Sequence, residues 1–294
     1  MFRKIRYPTF PKQLLITFEG CQKSLGNFIN MMSTNVLLER SYIPKTFEPS
    51  EKIKSFLAKE RLPTMYDLPS EYPEEPGLPD DFHYHQPQLL RETFCLPNYS
   101  VEEIYVASDL NLYYDANHTD WYKRPDWFAV LGVPPFYGDE RELRYSYVVW
   151  DEKIVPFIVV ELLSDSTEKE DLGQTLRKGK KPPTKWEVYE QLLQIPYYVV
   201  FSRKSGQLQI FQLIEGRYQK LTLIKDRFWL PQIQLGLGLW QGNYHSLERQ
   251  WLRWYNAKSW VSTPVELEKQ RADSEAQRAD SAEAELARLK KLLL

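Results

Sequence analysis

The sequence predicts an α/β domain in which a mixed sheet is flanked by helices. Short runs rich in β-branched and aromatic residues recur between residues 104 and 213, and such runs favour strands. An amphipathic helix is predicted over residues 185–194, between the earlier runs and the last two. Strands that precede and follow a helix in this order are typical of a mixed sheet covered by helices.

The predicted strands lie over residues 104–107, 110–114, 127–131, 145–150, 154–163, 197–201 and 208–213. The stretch Trp150-Asp151-Glu152-Lys153 predicts a turn that joins the fourth and fifth strands as a hairpin. Lys204, Ser205 and Gly206 predict the turn between the last two strands. A short helix is predicted ahead of the sheet, over residues 86–95.

The helix predicted over residues 185–194 has signals at both ends. Thr184 is a candidate N-cap, and Pro196 stops the helix soon after its last residue. Its apolar face is predicted to contain Trp186, Tyr189, Leu192 and Leu193. This face would pack the helix against the sheet.

Composition divides the chain into four predicted segments. Residues 1–64 show no sustained hydrophobic period and are expected to form a poorly ordered extension. Residues 65–83 are rich in proline and acidic residues, which is typical of an extended arm. Residues 84–260 form the α/β domain. Residues 261–294 form a C-terminal helix with a heptad-like pattern.

The C-terminal segment repeats with a period of seven residues. Small or apolar residues recur at positions that include Ala272, Ala279, Leu286 and Leu293, as in the seam of a coiled coil. Glutamates interrupt this seam, so a single solvated helix is an equally open interpretation. A self-associating coil would make the protein a homodimer.

Bulk composition excludes several classes of protein. No run approaches the roughly 18 apolar residues that a membrane-spanning helix needs, and no apolar stretch of a secretion signal follows the basic N-terminus. Cys21 and Cys95 belong to no CxxC pattern, so neither a structural zinc site nor a disulfide scaffold is expected. We expect a cytoplasmic protein without a membrane partner. The net charge of −2 neither supports nor excludes a nucleic-acid partner.

Two acidic residues stand out in strand-like sequence. Glu161 interrupts an apolar run that is too hydrophobic on both sides to be an edge strand. An unpaired buried carboxylate costs several kcal/mol, so Glu161 is expected to face a cation, either an arginine or a metal. Asp126 follows Pro125 and leads into the strand at residue 127, where it is either a turn residue or a ligand.

Acids on adjacent strands suit the hydrolysis of phosphodiesters. Mg²⁺ (or Mn²⁺) takes carboxylate oxygens as ligands, polarises a phosphate and lowers the pKa of a bound water. A neighbouring lysine can stabilise the negative charge that develops in the reaction. Asp126, Glu161 and Lys185 are the candidate set, and the two acids are the candidate metal ligands.

Several short motifs closely resemble those of the Uma2 family, also called DUF820, a branch of the PD-(D/E)xK nuclease superfamily that is abundant in cyanobacteria. They are Pro125-Asp126, Val159-Val160-Glu161-Leu162-Leu163-Ser164, Ser166-Thr167, Asp171, and Lys185 four residues ahead of Tyr189. The segment 195–200 also resembles a family segment. The resemblance covers roughly residues 66–256.

The resemblance implies a restriction-endonuclease-like fold for residues 84–260 and a Mg²⁺-dependent endonuclease that cleaves DNA. Asp126 would match the aspartate of the PD element, and Glu161 the acid of the second element. Leu163 stands where the superfamily pattern has lysine. A lysine on the following helix takes this role in Uma2-like proteins, and Lys185 matches it here.

Two other acidic positions compete with this assignment. Asp151-Glu152-Lys153 is the literal D-x-K match, but it falls in the predicted hairpin turn. Glu92, on the predicted first helix, is a candidate further metal ligand, because related folds often have an acid there. An exposed helix charge is the alternative role for Glu92.

The remaining signals leave their roles open. The polar residues Ser164, Ser166, Thr167, Asp171 and Gln174 could line the mouth of the site or cap a helix. The basic run 177–181 could contact phosphates or simply be solvated. Aromatic residues at helical spacing near residue 254 are expected to close the core rather than stack on bases. A catalytically silent nuclease fold, acting as a DNA-binding or coiled-coil scaffold, is the alternative function.

Overall fold

The computed structural model describes residues 80–139, 141–164, 167–175 and 182–292. These residues belong to a compact unit that spans Thr64–Leu294. The predicted extension over residues 1–64 and most of the predicted arm lie outside the described residues. Within the described ranges, no helix is both long enough and apolar enough to cross a membrane.

The described part contains twelve strands and five α-helices. The strands are β1 (Ile104–Ala107), β2 (Leu112–Tyr113), β3 (Tyr122–Lys123), β4 (Trp127–Leu131), β5 (Tyr147–Val148), β6 (Ile158–Leu162), β7 (Tyr197–Ser202), β8 (Gln207–Ile214), β9 (Arg217–Lys220), β10 (Arg227–Leu230), β11 (Leu235–Tyr244) and β12 (Leu247–Tyr255). The helices are α1 (Asp81–Thr93), α2 (Val149–Glu152), α3 (Glu168–Asp171), α4 (Lys185–Glu187) and α5 (Pro264–Leu292).

Six strands form a central mixed sheet in the order β1-β4-β6-β7-β8-β9. β6 and β7 are parallel, and the other neighbours are antiparallel. The chain between β6 and β7 contains α3 and α4, as the connection of two parallel strands requires a crossover. The predicted mixed sheet with flanking helices is therefore confirmed.

The central strands are buried on both faces. Every residue of β6 is buried, as are the first five residues of β7. One face packs on α1 and on the three-stranded sheet β10-β11-β12, and the other packs on α4. Burial on both faces explains why these strands read as continuous apolar runs rather than as alternating ones.

α1 begins five residues earlier than the helix predicted over residues 86–95. The carboxylate of Asp80 accepts hydrogen bonds from the backbone N–H groups of Phe82 and His83, at 2.9 and 3.1 Å, and so caps the helix. Pro87 lies inside the helix, in its second turn. The four described residues 80–83 of the predicted arm are thus the cap and first turn of α1.

The hairpin predicted around residues 150–153 is wrong. β5 pairs in parallel with β2 in a small separate sheet, and the chain then forms the single turn of α2 before it reaches β6. Glu152 stabilises this turn through a buried ion pair with Arg144, 2.6 Å from its Nε. The left-handed backbone at Lys153, with φ at 62°, ends the turn.

The helix predicted over residues 185–194 has a shorter α-helical part. α4 ends at Glu187 and continues as a π-helical turn, Val188–Leu192. The wider turn places Leu192 on the surface, 55% exposed, although it was predicted on the apolar face. Tyr189 and Leu193 are buried as predicted.

The C-terminal sheet closes the core on the α1 side. Trp251 and Trp254 are fully buried, as expected, but they lie on β12 rather than on a helix. A spacing of three residues is typical of one face of a helix, but the pairing of β12 with β11 shows that both tryptophans lie on a strand. α5 then begins at Pro264 and buries none of its residues. Self-association through α5 remains a prediction.

Candidate active site

Asp126 and Glu161 face each other across two neighbouring strands. Trp127 of β4 is paired with Val160 of β6, so one further step of the register sets Asp126 opposite Glu161. The carboxylate of Asp126 accepts a hydrogen bond of 2.6 Å from the backbone N–H of Leu162. The antiparallel pairing therefore brings together two acids that are 35 positions apart in the sequence.

Lys185 reaches these strands from the first turn of α4. Its Nζ lies 3.0 Å from Oε2 of Glu161 and 2.7 Å from Oδ1 of Asp171. A capping box between Thr184 and Glu187 fixes the start of the helix and hence the origin of the lysine side chain. The cation that faces the buried Glu161 is therefore a lysine rather than an arginine.

Two tyrosines, one in the π-helical turn after α4 and one on β7, donate hydrogen bonds to acidic residues of the site. The hydroxyl of Tyr189 donates to Oε1 of Glu161 at 2.9 Å. The hydroxyl of Tyr198 donates to the backbone carbonyl of Asp171 at 2.8 Å. Tyr189 follows Lys185 by four residues, so one short helical segment supplies both partners of Glu161.

The site contains more negative than positive charge. Glu161 and Asp171 are fully buried, whereas Asp126 is partly exposed, and Lys185 is the cation among them. Within the described part of the chain, Oδ2 of Asp171 receives no hydrogen bond. Unpaired buried carboxylate oxygens are costly and call for a cation or a proton.

The ionisation of these groups reflects the same imbalance. Burial raises the pKa of Glu161 well above 4.5; the ammonium of Lys185 opposes this shift, and the carboxylates of Asp171 and Asp126 add to it. Burial also raises the pKa of Asp126. Burial opposes the charge of Lys185, but the three surrounding carboxylates raise its pKa well above 10.5. Lys185 is therefore a permanent cation.

His83 of α1 approaches the site from the end of β6. Its Nε2 lies 3.0 Å from the carbonyl oxygen of Leu162, and its Nδ1 lies 2.8 Å from Oδ1 of Asp80. Burial lowers the pKa of His83, but the hydrogen bond to Asp80 and the charge of Asp126 outweigh this and raise it. His83 thus adds positive potential near Asp126.

The oxygen donors of the site suit a hard divalent cation. No three histidine, cysteine, aspartate or glutamate side chains of the described residues converge in a ready-made metal site. Mg²⁺ commonly uses only one or two carboxylates and completes its shell with water and substrate phosphate. Asp126 and Glu161 can supply these carboxylates, and the unpaired oxygen of Asp171 marks the surplus of negative charge.

The competing acids lie elsewhere. Glu92 is on α1, which covers the opposite face of the sheet, and its Oε1 accepts a hydrogen bond of 3.0 Å from Gln88. The structure therefore does not bring Glu92 to Glu161. Glu152 of the literal D-x-K match is paired with Arg144, and Asp151 accepts a hydrogen bond from Tyr137 at 2.6 Å.

The polar stretch after β6 divides between the loop and the site. The hydroxyl oxygens of Ser164 and Thr167 are 3.2 Å apart in the loop before α3, and Thr167 stands at the N-cap of α3 without a capping hydrogen bond from its side chain among the described residues. Asp171 belongs to the ionic cluster itself. Ser166 and the basic run 177–181 lie outside the described residues.

Sequence reasoning missed the contribution of three groups. The sequence predicts Tyr189 on an apolar face, although its spacing of four residues from Lys185 is a signal that could have linked both residues to Glu161. The sequence leaves the role of Asp171 open, because nothing in its polar surroundings indicates burial. His83 lay in the predicted arm, and no local pattern could place it beside a strand 79 positions away.

The chain matches the model of one known protein family. A family model for Uma2, described as "Putative restriction endonuclease", matches residues 57–245. Among solved structures, one match is the crystal structure of "a putative nuclease belonging to DUF820" from Anabaena variabilis, with a TM-score of 0.29 and 9% sequence identity. The match covers 45% of this chain and 62% of that chain, less than two thirds of its length. No curated protein matches the chain.

Proposed function

The chain belongs to the Uma2 family, whose model matches well over half of its residues, and we propose that it is a Mg²⁺-dependent endonuclease that hydrolyses phosphodiester bonds of DNA. The observation that carries this proposal is the cluster of Asp126, Glu161 and Asp171 around the single ammonium of Lys185. Membership of a nuclease family and a site with surplus negative charge support the same chemistry.

Asp126 and Glu161 are the proposed ligands of Mg²⁺ (or Mn²⁺). Asp126 is the partly exposed residue among the three acids of the cluster. The bound cation would balance the surplus charge, polarise a phosphodiester and lower the pKa of a water molecule. Because the pKa of Glu161 is raised, its carboxyl would release bound protons as the cation takes their place.

Lys185 is proposed to act as an electrostatic group rather than as a base. Its pKa is raised well above 10.5, so it has no free electron pair with which to accept a proton near neutral pH. Its ammonium can donate hydrogen bonds to a phosphate oxygen, or to an attacking water, and stabilise the charge that develops there. This role replaces the lysine absent at Leu163.

Tyr189 is proposed as a positioning residue. Its hydroxyl holds Oε1 of Glu161, while Lys185 holds Oε2. A carboxylate fixed at both oxygens has a defined orientation, and preorganised groups cost no rearrangement when the reaction occurs.

The experiment is a cleavage assay with supercoiled and single-stranded DNA in Mg²⁺, Mn²⁺ or EDTA. Asp126→Asn and Glu161→Gln should abolish cleavage, and Lys185→Met should reduce the rate by about 10²–10³-fold. Glu152→Gln is the matched control, because it changes an acid of the competing motif. Cleavage by the Asp126 and Glu161 variants at the wild-type rate would refute the site.

A catalytically silent nuclease fold is the second candidate function. It is favoured by two observations: Lys185 is held by two carboxylates, and the described residues contain no ready-made group of three metal donors. Such a protein would bind DNA or assemble through α5. It would retain DNA in every metal tested and leave it uncut, and the acidic variants would bind DNA as the wild type does.

A further inference from the structure

The outer face of the C-terminal sheet carries an aromatic and basic surface that the active site does not use. Trp229, Tyr255 and Trp260 are half-buried, and Arg227 lies among them. We call these four residues the aromatic platform. The ring centroids of Trp229 and Tyr255 are 5.9 Å apart, and those of Tyr255 and Trp260 are 5.5 Å apart.

Two concavities meet on the platform. One has a volume of about 480 Å³ and extends from the platform to Asn256 and Lys258. The other has a volume of about 570 Å³ and extends to Lys225. Arg227, Trp229 and Tyr255 line both, so the two concavities adjoin at the platform, and together they are called the groove. Each volume is in the range of ligand sites.

Glycines of β11 leave room for the platform. A Cβ atom on Gly236 would lie 2.1 Å from Cζ of Tyr255, and one on Gly238 would lie 2.6 Å from Cγ of Arg227. Neither approach is tolerable, so only glycine lets the tyrosine ring and the arginine stem lie flat over the strand. Gly236 is paired with both Trp229 and Tyr255 in the sheet register.

The cations of the groove have no acidic partners among the described residues. No carboxylate of those ranges forms an ion pair with Lys225, Arg227 or Lys258. The guanidinium of Arg227 instead lies 4.3 Å from the ring centroid of Trp260 and 5.4 Å from that of Tyr255. The exposed Asp226 is the acid in the turn that precedes Arg227. Three unpaired cations around three rings favour a ligand that is both flat and anionic.

We propose that the aromatic platform binds unpaired nucleotides of single-stranded DNA. Exposed rings stack on bases without regard to sequence, and neighbouring cations follow the phosphate backbone. Duplex DNA keeps its bases stacked within the helix, so the rings would contribute little to its binding. This inference rests on the proposed function only in taking DNA as the ligand, since the platform needs neither the metal nor the acidic site.

The test is fluorescence anisotropy of a labelled oligothymidine in EDTA, with full-length protein. Trp260→Ala and the double variant Trp229→Ala/Tyr255→Ala should each weaken binding by about tenfold or more. Lys258→Gln should lower the salt dependence of binding by somewhat less than one unit of slope. Trp150→Ala and Lys269→Gln change an exposed tryptophan and an exposed lysine elsewhere and should bind as the wild type does.

Thermal unfolding identifies variants that fail to fold, and Lys258→Gln, at an exposed position, keeps the test valid if the double variant is unstable. Wild-type affinity in Trp260→Ala and Lys258→Gln would overturn the proposal. A change of sedimentation coefficient in these variants with unchanged DNA binding would also overturn it, because the platform would then be a protein interface. If Glu161→Gln loses cleavage but still binds the oligothymidine, the acidic site and the platform act independently. If the wild type cuts no DNA but the platform variants lose binding, the nuclease proposal is refuted and the platform proposal stands.

Discussion

Two ionic clusters in this protein differ in charge balance. At the start of α5, Arg253 is matched by Glu266, and its guanidinium also donates to the carbonyl of Val261 at 2.7 and 3.1 Å. At the end of β6, the ammonium of Lys185 is shared between Glu161 and Asp171, with Asp126 close by. The first cluster joins two elements of the fold, whereas the second leaves negative charge unmatched.

The pKa shifts of the two clusters point in opposite directions. Burial of Glu266 is outweighed by its bonds to Arg253 and to the backbone of Thr263, so the pKa of Glu266 is lowered. Burial dominates at Glu161, and its pKa is raised well above 4.5. A balanced cluster therefore stabilises the fold. An unbalanced cluster lowers the free energy of unfolding, and binding of a cation would offset this loss.

Removal of the two cations should give the largest effect. Lys185→Met leaves Glu161 and Asp171 buried without a counterion and should lower the free energy of unfolding by about 3–5 kcal/mol near neutral pH. Arg253→Met should cost less, about 1–3 kcal/mol, because the side chain of Glu266 is 37% exposed and can be hydrated. Urea unfolding of both variants measures the difference. Equal losses would show that the two clusters have the same balance.

Neutralising one acid in each cluster should have effects of opposite sign. Without metal, Glu161→Gln should raise the free energy of unfolding by about 1–2 kcal/mol, because it removes a surplus buried charge. Glu266→Gln should lower it by about 1 kcal/mol, because it weakens a matched pair and a capping box. Thermal unfolding in EDTA makes the comparison. Destabilisation by both substitutions would contradict the claimed imbalance.

The pH dependence of stability should separate the clusters further. A folded-state pKa raised above its usual value of 4.5 means that folded Glu161 binds more protons than the unfolded chain does. Its contribution is therefore lost as pH rises from about 4.5 through the raised pKa. The pKa of Glu266 is lowered, so its ionised carboxylate contributes to stability above pH 4.5, and this contribution is lost as the pH falls.

The advantage of Glu161→Gln over the wild type in EDTA should accordingly grow as pH increases above that point. Unfolding curves across a pH series of both proteins measure this growth. If the difference in the free energy of unfolding between Glu161→Gln and the wild type stays constant across the pH series, Glu161 is fully ionised over that whole range.

The smallest effect is expected at the hydroxyl of Tyr189. Tyr189→Phe removes one donor to Glu161 and should cost about 1 kcal/mol of stability, together with a modest loss of cleavage rate. Tyr198→Phe, which loses a bond to a backbone carbonyl instead, is the matched control for stability. A shift in the pH–rate profile of Tyr189→Phe alone would identify its role as positioning Glu161.

The sequence was most informative where residues are buried on both sides. The runs that became β4, β6 and β7 were recognisable because most of their residues are β-branched or aromatic and follow one another as apolar runs. Glu161 could be singled out because an acidic residue is unusual in such an apolar run. The hairpin at residues 150–153 failed because the pairing of β5 with β2 depends on the fold and not on local turn chemistry.

The completeness of the ionic cluster could not be read from the sequence. Asp171 lies in a polar stretch, and its full burial depends on how α3 and α4 close over the sheet. His83 acts through a contact with a distant carbonyl. Local sequence patterns identify Asp126, Glu161 and Lys185. The groups that determine the charge balance, Asp171 and His83, are brought to the site by tertiary packing and have no local signal.

The most direct measurement is calorimetric titration of Mg²⁺ or Mn²⁺ into the wild type, Glu161→Gln and Glu266→Gln, in two buffers that differ in ionisation enthalpy. The wild type and Glu266→Gln should bind the cation with the same affinity and release protons on binding, because the raised pKa of Glu161 must be overcome. Glu161→Gln should show no saturable binding. Equal binding and equal proton release by all three proteins would contradict the assignment of Asp126 and Glu161 as the metal site.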